Sequence, residues 1–198
     1  EARALSTPST ALTTFPTSIT ITITYDPQDI QGLDISTLKL YRWSGTQWIA
    51  TENCIINQTN HTLTCMTANF SPFVMMGTPD TAPPNPITNL SVSNIAQTSA
   101  DLSWTAPGDN GNQGTAAVYD IRYQQGSAST YVFTAATQAG GEPTPSLAGT
   151  AQAYTIVDAL LIPNTIYSVA LTATDPAGNT SLLSNVISFT TPVEKTQP

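Results

Sequence analysis

The side chains that could support catalysis are few in this sequence, and they do not form a recognisable catalytic set. The only histidine, His61, lies in the polar stretch Asn-Gln-Thr-Asn-His, which is typical of a solvated turn. A Ser-His-Asp triad needs a histidine held beside its partners. The Asp and Glu residues are scattered, and no pair of them is placed in an obvious cleft. We therefore expect that the chain is not an enzyme.

The two cysteines are spaced as a hairpin would require. Pairing Ile55 with Thr64, Ile56 with Leu63 and Asn57 with Thr62 leaves residues 58–61 as the loop and brings Cys54 opposite Cys65. Opposed residues of an antiparallel pair are close enough for a disulfide. The alternative is two buried thiols, and a zinc site would need further ligands nearby. A Cys54–Cys65 disulfide indicates an oxidising, extracellular compartment.

Three aromatic side chains lie close together on a predicted hairpin, namely Tyr41, Trp43 and Trp48. If Leu38 and Leu40 face the core, strand alternation places Tyr41 and Trp43 on the opposite face. Exposed aromatic groups mark binding surfaces, which would make this hairpin a platform for a glycan. In the alternative interpretation the sheet is covered on both sides and the rings belong to the core.

Charge excludes two classes of partner. The 198 residues have a formal net charge of −8, with only 5 Lys and Arg side chains. So acidic a chain has no cationic patch that would neutralise phosphates, so we expect no nucleic-acid partner. No apolar run approaches the length needed to span a bilayer, and we expect no membrane insertion. The remaining partners are a protein, a glycan, flanking domains of the same polypeptide or neighbouring subunits.

Residues 1–77 predict a small all-β module. Residues 1–17 suggest a loose arm or an edge strand, and the alternation of Ile and Thr in Ser18–Tyr25 predicts a strand. About six short strands follow one another with tight turns, which indicates a β-sandwich-like unit. The runs ITITYDPQDIQGLDISTLKLYRWSGTQW and NFSPFVMMG within residues 18–77 resemble a ZU5-like β module of bacterial secreted and surface proteins.

Some relatives of the ZU5 class cleave themselves at His-Phe-Ser, and the equivalent here is Asn69-Phe70-Ser71. Asparagine cannot serve as the base that a serine nucleophile needs, so we expect no self-cleavage. We expect instead that Phe70 and Phe73 pack in the core.

The Pro-rich segment 78–86 predicts a short, semi-rigid linker, and residues 193–198 a tail. Between them, residues 87–192 predict a second all-β domain with about seven strands. Apolar Ala100, Leu102 and Trp104 alternate with polar residues, as do Tyr119, Ile121 and Tyr123, which indicates two half-buried strands. Thr130–Phe133 is the predicted strand C′. The fold class is therefore all-β, with two tandem domains.

Residues 84–192 resemble a fibronectin type III domain, an Ig-like sandwich. The residues that carry the resemblance are Leu102-Ser103-Trp104, Tyr119-Asp120-Ile121-Arg122-Tyr123, Leu161…Pro163…Tyr167 and Thr190-Thr191. Three further features are typical of a bacterial subgroup: a long loop between the second and third strands, the stretch Glu142-Pro143-Thr144-Pro145, and the loop Asp175-Pro176-Ala177-Gly178-Asn179. The resemblance implies that Trp104 and Tyr119 are core residues and that Tyr167 locks a corner between two strands.

Two loops at the same end of such a sandwich are rich in oxygen ligands that calcium prefers. The first loop holds Asp109, Asn110 and Asn112, and the second holds Asp175 and Asn179. Six to eight oxygens are needed, and the pattern is not an EF-hand. The same residue types suit ordinary turns. Calcium is the one cofactor that the sequence suggests, and otherwise we expect none.

Together these features predict a non-catalytic structural, spacer or adhesive segment of a larger secreted or cell-surface bacterial protein. Two alternatives remain open at this point. One is a carbohydrate-binding accessory region of an extracellular enzyme. The other is a subunit of an extracellular filament or surface assembly, in which the arm at residues 1–17 would add as a strand to the open sheet edge of a neighbour.

Overall fold

A computed structural model describes residues 14–157 and 161–193. The chain divides into two compact units, Glu1–Asp80 and Thr81–Pro198. Within the described residues both units are built from antiparallel strands, which confirms the all-β prediction. Most of the predicted arm, at residues 1–13, and most of the predicted tail, at residues 194–198, lie outside the described residues. None of the helices described is long and apolar enough to cross a membrane.

The first unit contains two three-stranded sheets, with strand orders β1-β5-β4 and β3-β2-β6. Tight turns separate the strands, and two short 3-10 turns occupy the Asp-rich segment between β1 and β2. The strands are β1 (Thr14–Thr24), β2 (Lys39–Trp43), β3 (Trp48–Ala50), β4 (Glu52–Asn57), β5 (Thr62–Asn69) and β6 (Phe73–Met76).

The β4–β5 hairpin has the predicted register, with Ile55 opposite Thr64 and Asn57 opposite Thr62. Cys54 and Cys65 form the disulfide, with their Cα atoms 4.1 Å apart. Thr51 donates its hydroxyl to the Leu40 carbonyl oxygen, at 2.8 Å, and so ties the start of this hairpin to β2. The cross-link therefore closes the hairpin at the point where it meets the other sheet.

The core of the first unit is small. Its buried residues form two clusters of three, one around Leu38 and one that contains Leu40, Leu63 and Cys65. Phe73 packs against the second cluster, as expected. Phe70 does not: its side chain is 62% exposed, because β5 ends at Asn69 and the chain turns outward before β6 begins. The prediction of a buried Phe70 was wrong.

The second unit is a sandwich of a four-stranded and a three-stranded sheet, with orders β10-β9-β12-β13 and β11-β8-β7. This is the arrangement expected of an Ig-like sandwich. Its strands are β7 (Ser91–Ser93), β8 (Ser99–Thr105), β9 (Val118–Gln125), β10 (Thr137–Gln138), β11 (Ala151–Val157), β12 (Ile166–Thr174) and β13 (Ile187–Thr190).

One continuous core fills the space between these two sheets. It contains 17 buried residues, among them Leu102, Ile121 and Leu171. Alternate residues of β8 and β9 point into it, because successive side chains of a strand face opposite sides. β12 is an inner strand, between β9 and β13, and it is buried on both faces over residues 167–173.

Trp104 and Tyr119 pack edge to face in this core, with ring centroids 5.1 Å apart and planes at 90°. Neither the indole nitrogen nor the phenol oxygen makes a well-formed hydrogen bond within the described residues. Burial raises the pKa of Tyr119, and the nearby indole N–H of Trp104 offsets part of that rise. The Tyr119 hydroxyl is therefore poorly satisfied.

Tyr167 is buried too, and its hydroxyl oxygen accepts a hydrogen bond from the backbone N–H of Ile162, at 2.9 Å. The bond spans the turn that leads into β12. It satisfies a backbone donor that strand pairing leaves unused, which is how this tyrosine fixes the corner.

The predicted strand at Thr130–Phe133 is absent. The segment instead connects two 3-10 turns, Ala128–Thr130 and Phe133–Ala135, and the edge strand of this sheet is β10, a few residues later. Tyr131 donates its hydroxyl to the Arg122 carbonyl oxygen at 2.8 Å, and its burial raises the pKa of Tyr131 to about 12. The Arg122 guanidinium lies 4.9 Å from the centre of the Phe133 ring. The segment therefore folds over the outer face of β9 rather than pairing with its edge.

Candidate functional site

The aromatic residues of the first unit lie on one face of the β3-β2-β6 sheet. Along β2, Leu40 is 1% exposed and faces the core, so Tyr41 and Trp43 project from the opposite face. Trp43 lies opposite Trp48 in the register of β2 and β3, and Tyr41 lies opposite Ala50. Tyr41, Trp43 and Trp48 therefore share a single surface, which we call the aromatic face.

The rings of the aromatic face are partly open to solvent. The Trp43 and Trp48 ring centroids are 5.3 Å apart with planes tilted by 59°, and Trp48 is 42% exposed. None of the three rings belongs to a buried cluster of the first unit. The residue opposite Tyr41 is Ala50, whose small side chain does not cover the tyrosine ring. This arrangement offers an apolar platform whose rings also carry one tyrosine hydroxyl and two indole N–H groups.

The two loops predicted to bind calcium meet at one end of the second unit. Carboxylate oxygens of Asp109 and Asp175 lie within 4.8 Å of each other. Asn179 donates its backbone N–H and its side-chain amide to the two carboxylate oxygens of Asp175, at 2.8 and 2.9 Å. Asp175 is thus already engaged in closing its own loop, and Asn110 pairs through its backbone with Gln113.

The structure does not gather the full predicted set of ligands. Asn112 is exposed and lines a different cleft, of about 410 Å³, together with Asn85 and Asn89. Calcium at Asp109, Asn110, Asn112, Asp175 and Asn179 therefore stays a prediction. Calorimetric titration of chelator-treated protein with calcium tests it. Heat of binding and a higher melting temperature would support the prediction, and the absence of both effects would contradict it.

His61 is exposed in the β4–β5 turn, where its ring lies 5.9 Å from that of Tyr25. Its side chain makes no hydrogen bond to any residue in the described ranges. The described residues place no hydroxyl or carboxylate in a hydrogen bond with this imidazole, and both cysteines are in the disulfide. The described residues therefore do not form a Ser-His-Asp arrangement around His61.

Sequence reasoning missed Arg42, which lines a polar cleft in the first unit. One signal could have found it. Leu38, Leu40 and Arg42 occupy alternate positions in the sequence, so a cation stands where the alternation predicts an inward-facing side chain.

Comparison with known proteins assigns the second unit. Residues 83–190 match the model of the fibronectin type III domain, more than half of the chain. The chain belongs to the fibronectin type III family. The match covers all seven strands of the sandwich, including β8 with Trp104 and β12 with Tyr167. The expectation drawn from the strand motifs is thereby confirmed.

One curated relative is endoglucanase B of Cellulomonas fimi, which is 37% identical over 117 residues. The aligned part is 59% of this chain but only 9% of the relative, so the chain spans about a tenth of that enzyme's length. Among solved structures, three consecutive domains of chicken CNTN1 cover 91% of the chain with 15% identity and a TM-score of 0.45. Domains A168–A170 of titin cover 85% with 15% identity and a TM-score of 0.39.

Proposed function

We propose that this chain is a non-catalytic accessory segment of a larger extracellular protein, with the fibronectin type III unit as its spacer. The observation that carries the proposal is the second unit itself. Its 17-residue core is continuous, and β12 is buried on both faces. Such a unit resists local unfolding. The disulfide of the first unit fits an oxidising compartment, and the curated relative is an enzyme far longer than the matched segment.

An activity assay on the purified chain tests the non-catalytic part of this proposal. Incubation with soluble glucans, xylans and esters is expected to release no reducing ends and no acid above a heat-denatured control. Enzyme activity that co-elutes with the monomeric chain in size-exclusion chromatography would contradict the proposal.

A second candidate function is favoured by the aromatic face, and it is glycan binding by the first unit. The three rings lie on one surface, half open to solvent, and two of them belong to tryptophans in contact. Flat apolar rings with polar edges suit the apolar faces and hydroxyls of sugar rings. Because the matched relative is named an endoglucanase, glucan oligosaccharides are the first ligands to test.

Substitution at the aromatic face tests this candidate function. Trp48→Ala is expected to weaken binding of cellohexaose at least tenfold, since Trp48 is the most exposed of the three rings. Phe70→Ala is the matched control, because it removes another exposed aromatic ring of the same unit. Equal binding by wild type and Trp48→Ala, or no binding by wild type, would contradict a glycan platform at this face.

A further inference from the structure

The first unit contains a cleft of about 270 Å³ between its two sheets, on the opposite side of β2 from the aromatic face. Arg42 lines it, projecting from the same face of β2 as the buried Leu40. Other polar lining residues are Ser18, Glu52, Asn53 and Asn69. The cleft is thus a polar recess with one cation.

Irregular strand pairing opens this recess. On one side of β5 the β1 register shifts between Thr14 and Ile19, and on the other the β4 register shifts between Glu52 and Ile55. Asn53, within the second irregularity, has a left-handed φ of 51°. Both outer strands therefore depart from β5 near the same end, and irregularities of this kind recur beside functional sites.

The guanidinium of Arg42 makes no ion pair or hydrogen bond with any residue in the described part of the chain. Ser18 and Asn69 also leave their side-chain hydrogen-bonding groups unused there. By contrast, the Thr67 hydroxyl donates to the Asn69 carbonyl oxygen at 3.2 Å and accepts the Asn69 N–H at 3.1 Å, which fixes the backbone of the rim. The cleft combines a fixed rim with donors that have no partner among the described residues.

A half-buried cation with no partner in residues 14–157 and 161–193 is unexpected in so acidic a chain, since buried polar groups are normally hydrogen-bonded. Glu52 lines the same cleft but does not pair with Arg42. The negative charge of Glu52 disfavours the binding of a dianion in this cleft. A single carboxylate group on a ligand carries one charge and can accept two parallel N–H bonds from a guanidinium. The charges therefore favour a monoanion over phosphate or sulfate.

We propose that the Arg42 cleft binds the carboxylate of a sugar acid, such as a uronic acid residue of an acidic polysaccharide. Arg42 holds the carboxylate with two N–H groups, and Ser18 and Asn69 bond the ring hydroxyls. Met66 and Ile49 line the cleft as apolar surface for the ring face. This site does not depend on the aromatic face, and its ligand is set by charge rather than by stacking.

Titration of the whole chain with tri-galacturonate tests the proposal, by calorimetry and by amide chemical shifts. We expect saturable binding with shifts at Arg42, Thr51 and Asn69, weakened at least tenfold in Arg42→Gln. Lys39→Gln is the matched control, because Lys39 lies on the same strand and its removal changes the net charge equally. It is expected to bind like wild type. Glu52→Gln is expected to bind about threefold more tightly because it removes the competing carboxylate.

Each other outcome overturns the assignment. Undiminished binding by Arg42→Gln, equal affinity for a neutral galactose trimer, or no binding would exclude a carboxylate site at Arg42. Inorganic phosphate that binds as tightly as the uronate would exclude a sugar acid as the ligand. Trp48→Ala is expected to keep uronate binding, so failure of this proposal is distinguishable from failure of the aromatic face. Because Arg42 has no partner among the residues that the structure describes, Arg42→Gln is expected to have the melting temperature of the wild type.

Discussion

The two units of this chain reach a folded all-β state by different means. Among the described residues, the first unit has two buried clusters of three side chains, whereas the second has one cluster of 17. The first unit carries the only disulfide, and the second has no cysteine. A small domain buries too small a share of its surface to offset the conformational entropy that the chain loses on folding. Small extracellular domains therefore often contain a disulfide.

This difference also bears on where ligands can bind. The second unit uses its apolar side chains to fill one core, and its outer sheet face over β9 is covered by the segment with Tyr131 and Phe133. The first unit leaves three aromatic rings partly open, and its Arg42 has no partner within the described part of that unit. A unit stabilised by a covalent link can tolerate such a surface more easily than one that depends on its core alone.

The largest expected effect comes from the core of the second unit. Leu171 is fully buried, and Leu171→Ala is expected to lower the free energy of unfolding of that unit by about 2–5 kcal/mol, because it leaves a cavity. Amide signals of the two units, followed separately in urea, measure it. Leu182→Ala is the matched control, since Leu182 is 77% exposed. An equal loss in the first unit would show that the two units do not unfold independently.

Removal of the disulfide is expected to have the next largest effect, and on the other unit. Cys54 and Cys65 are 11 residues apart, and in the chain-entropy model closing so short a loop stabilises by about 3 kcal/mol. The double variant Cys54→Ala, Cys65→Ala should lose stability in residues 14–80 alone, in the same urea series. A reductant added to wild type should reproduce the effect. No change in the first unit would refute the role given to the cross-link.

A pair of conservative substitutions compares two buried tyrosines of the second unit. Tyr167→Phe leaves the Ile162 N–H without its acceptor and is expected to cost about 1–3 kcal/mol. Tyr119→Phe is expected to change the unfolding free energy by less than about 1 kcal/mol, because the Tyr119 hydroxyl is poorly satisfied already. Urea denaturation of both variants measures the contrast. Equal losses would mean that Tyr119 has a hydrogen-bond partner, such as a buried water.

The smallest expected effect concerns acid. Hydrogen bonds from Thr155 and Asn94 hold the pKa of Asp101 below its ordinary value of 3.8. A folded pKa below the unfolded one contributes stability that is present above about pH 4 and lost as the pH falls through the folded pKa. Asp101→Asn should therefore flatten the acid end of the stability curve of the second unit. The same acid dependence in wild type and variant would assign it to other groups.

Local patterns predicted those parts of the fold that depend on alternation and pairing. The register of the β4–β5 hairpin followed from the spacing of Cys54 and Cys65, and the core positions of β12 followed from apolar residues at every second place. The cysteine pair lies in one hairpin, so its geometry is set by few residues.

The parts that sequence reasoning misplaced depend on contacts between distant segments. Phe70 is exposed because β5 ends one residue before it. The Thr130–Phe133 segment turns because the Tyr131 hydroxyl donates a hydrogen bond to the backbone of β9. The cleft at Arg42 needs two strand irregularities near one end of a sheet, which no local pattern of residue types encodes.

The central claim is that glycan binding belongs to the first unit and that the second unit is a spacer. Amide chemical shifts of the whole labelled chain, recorded with increasing cellohexaose, test it most directly. The account predicts saturable shifts around Tyr41, Trp43 and Trp48, including both indole N–H signals, with the signals of residues 87–191 unchanged. Shifts confined to the second unit, or none in either unit at millimolar ligand, would contradict it.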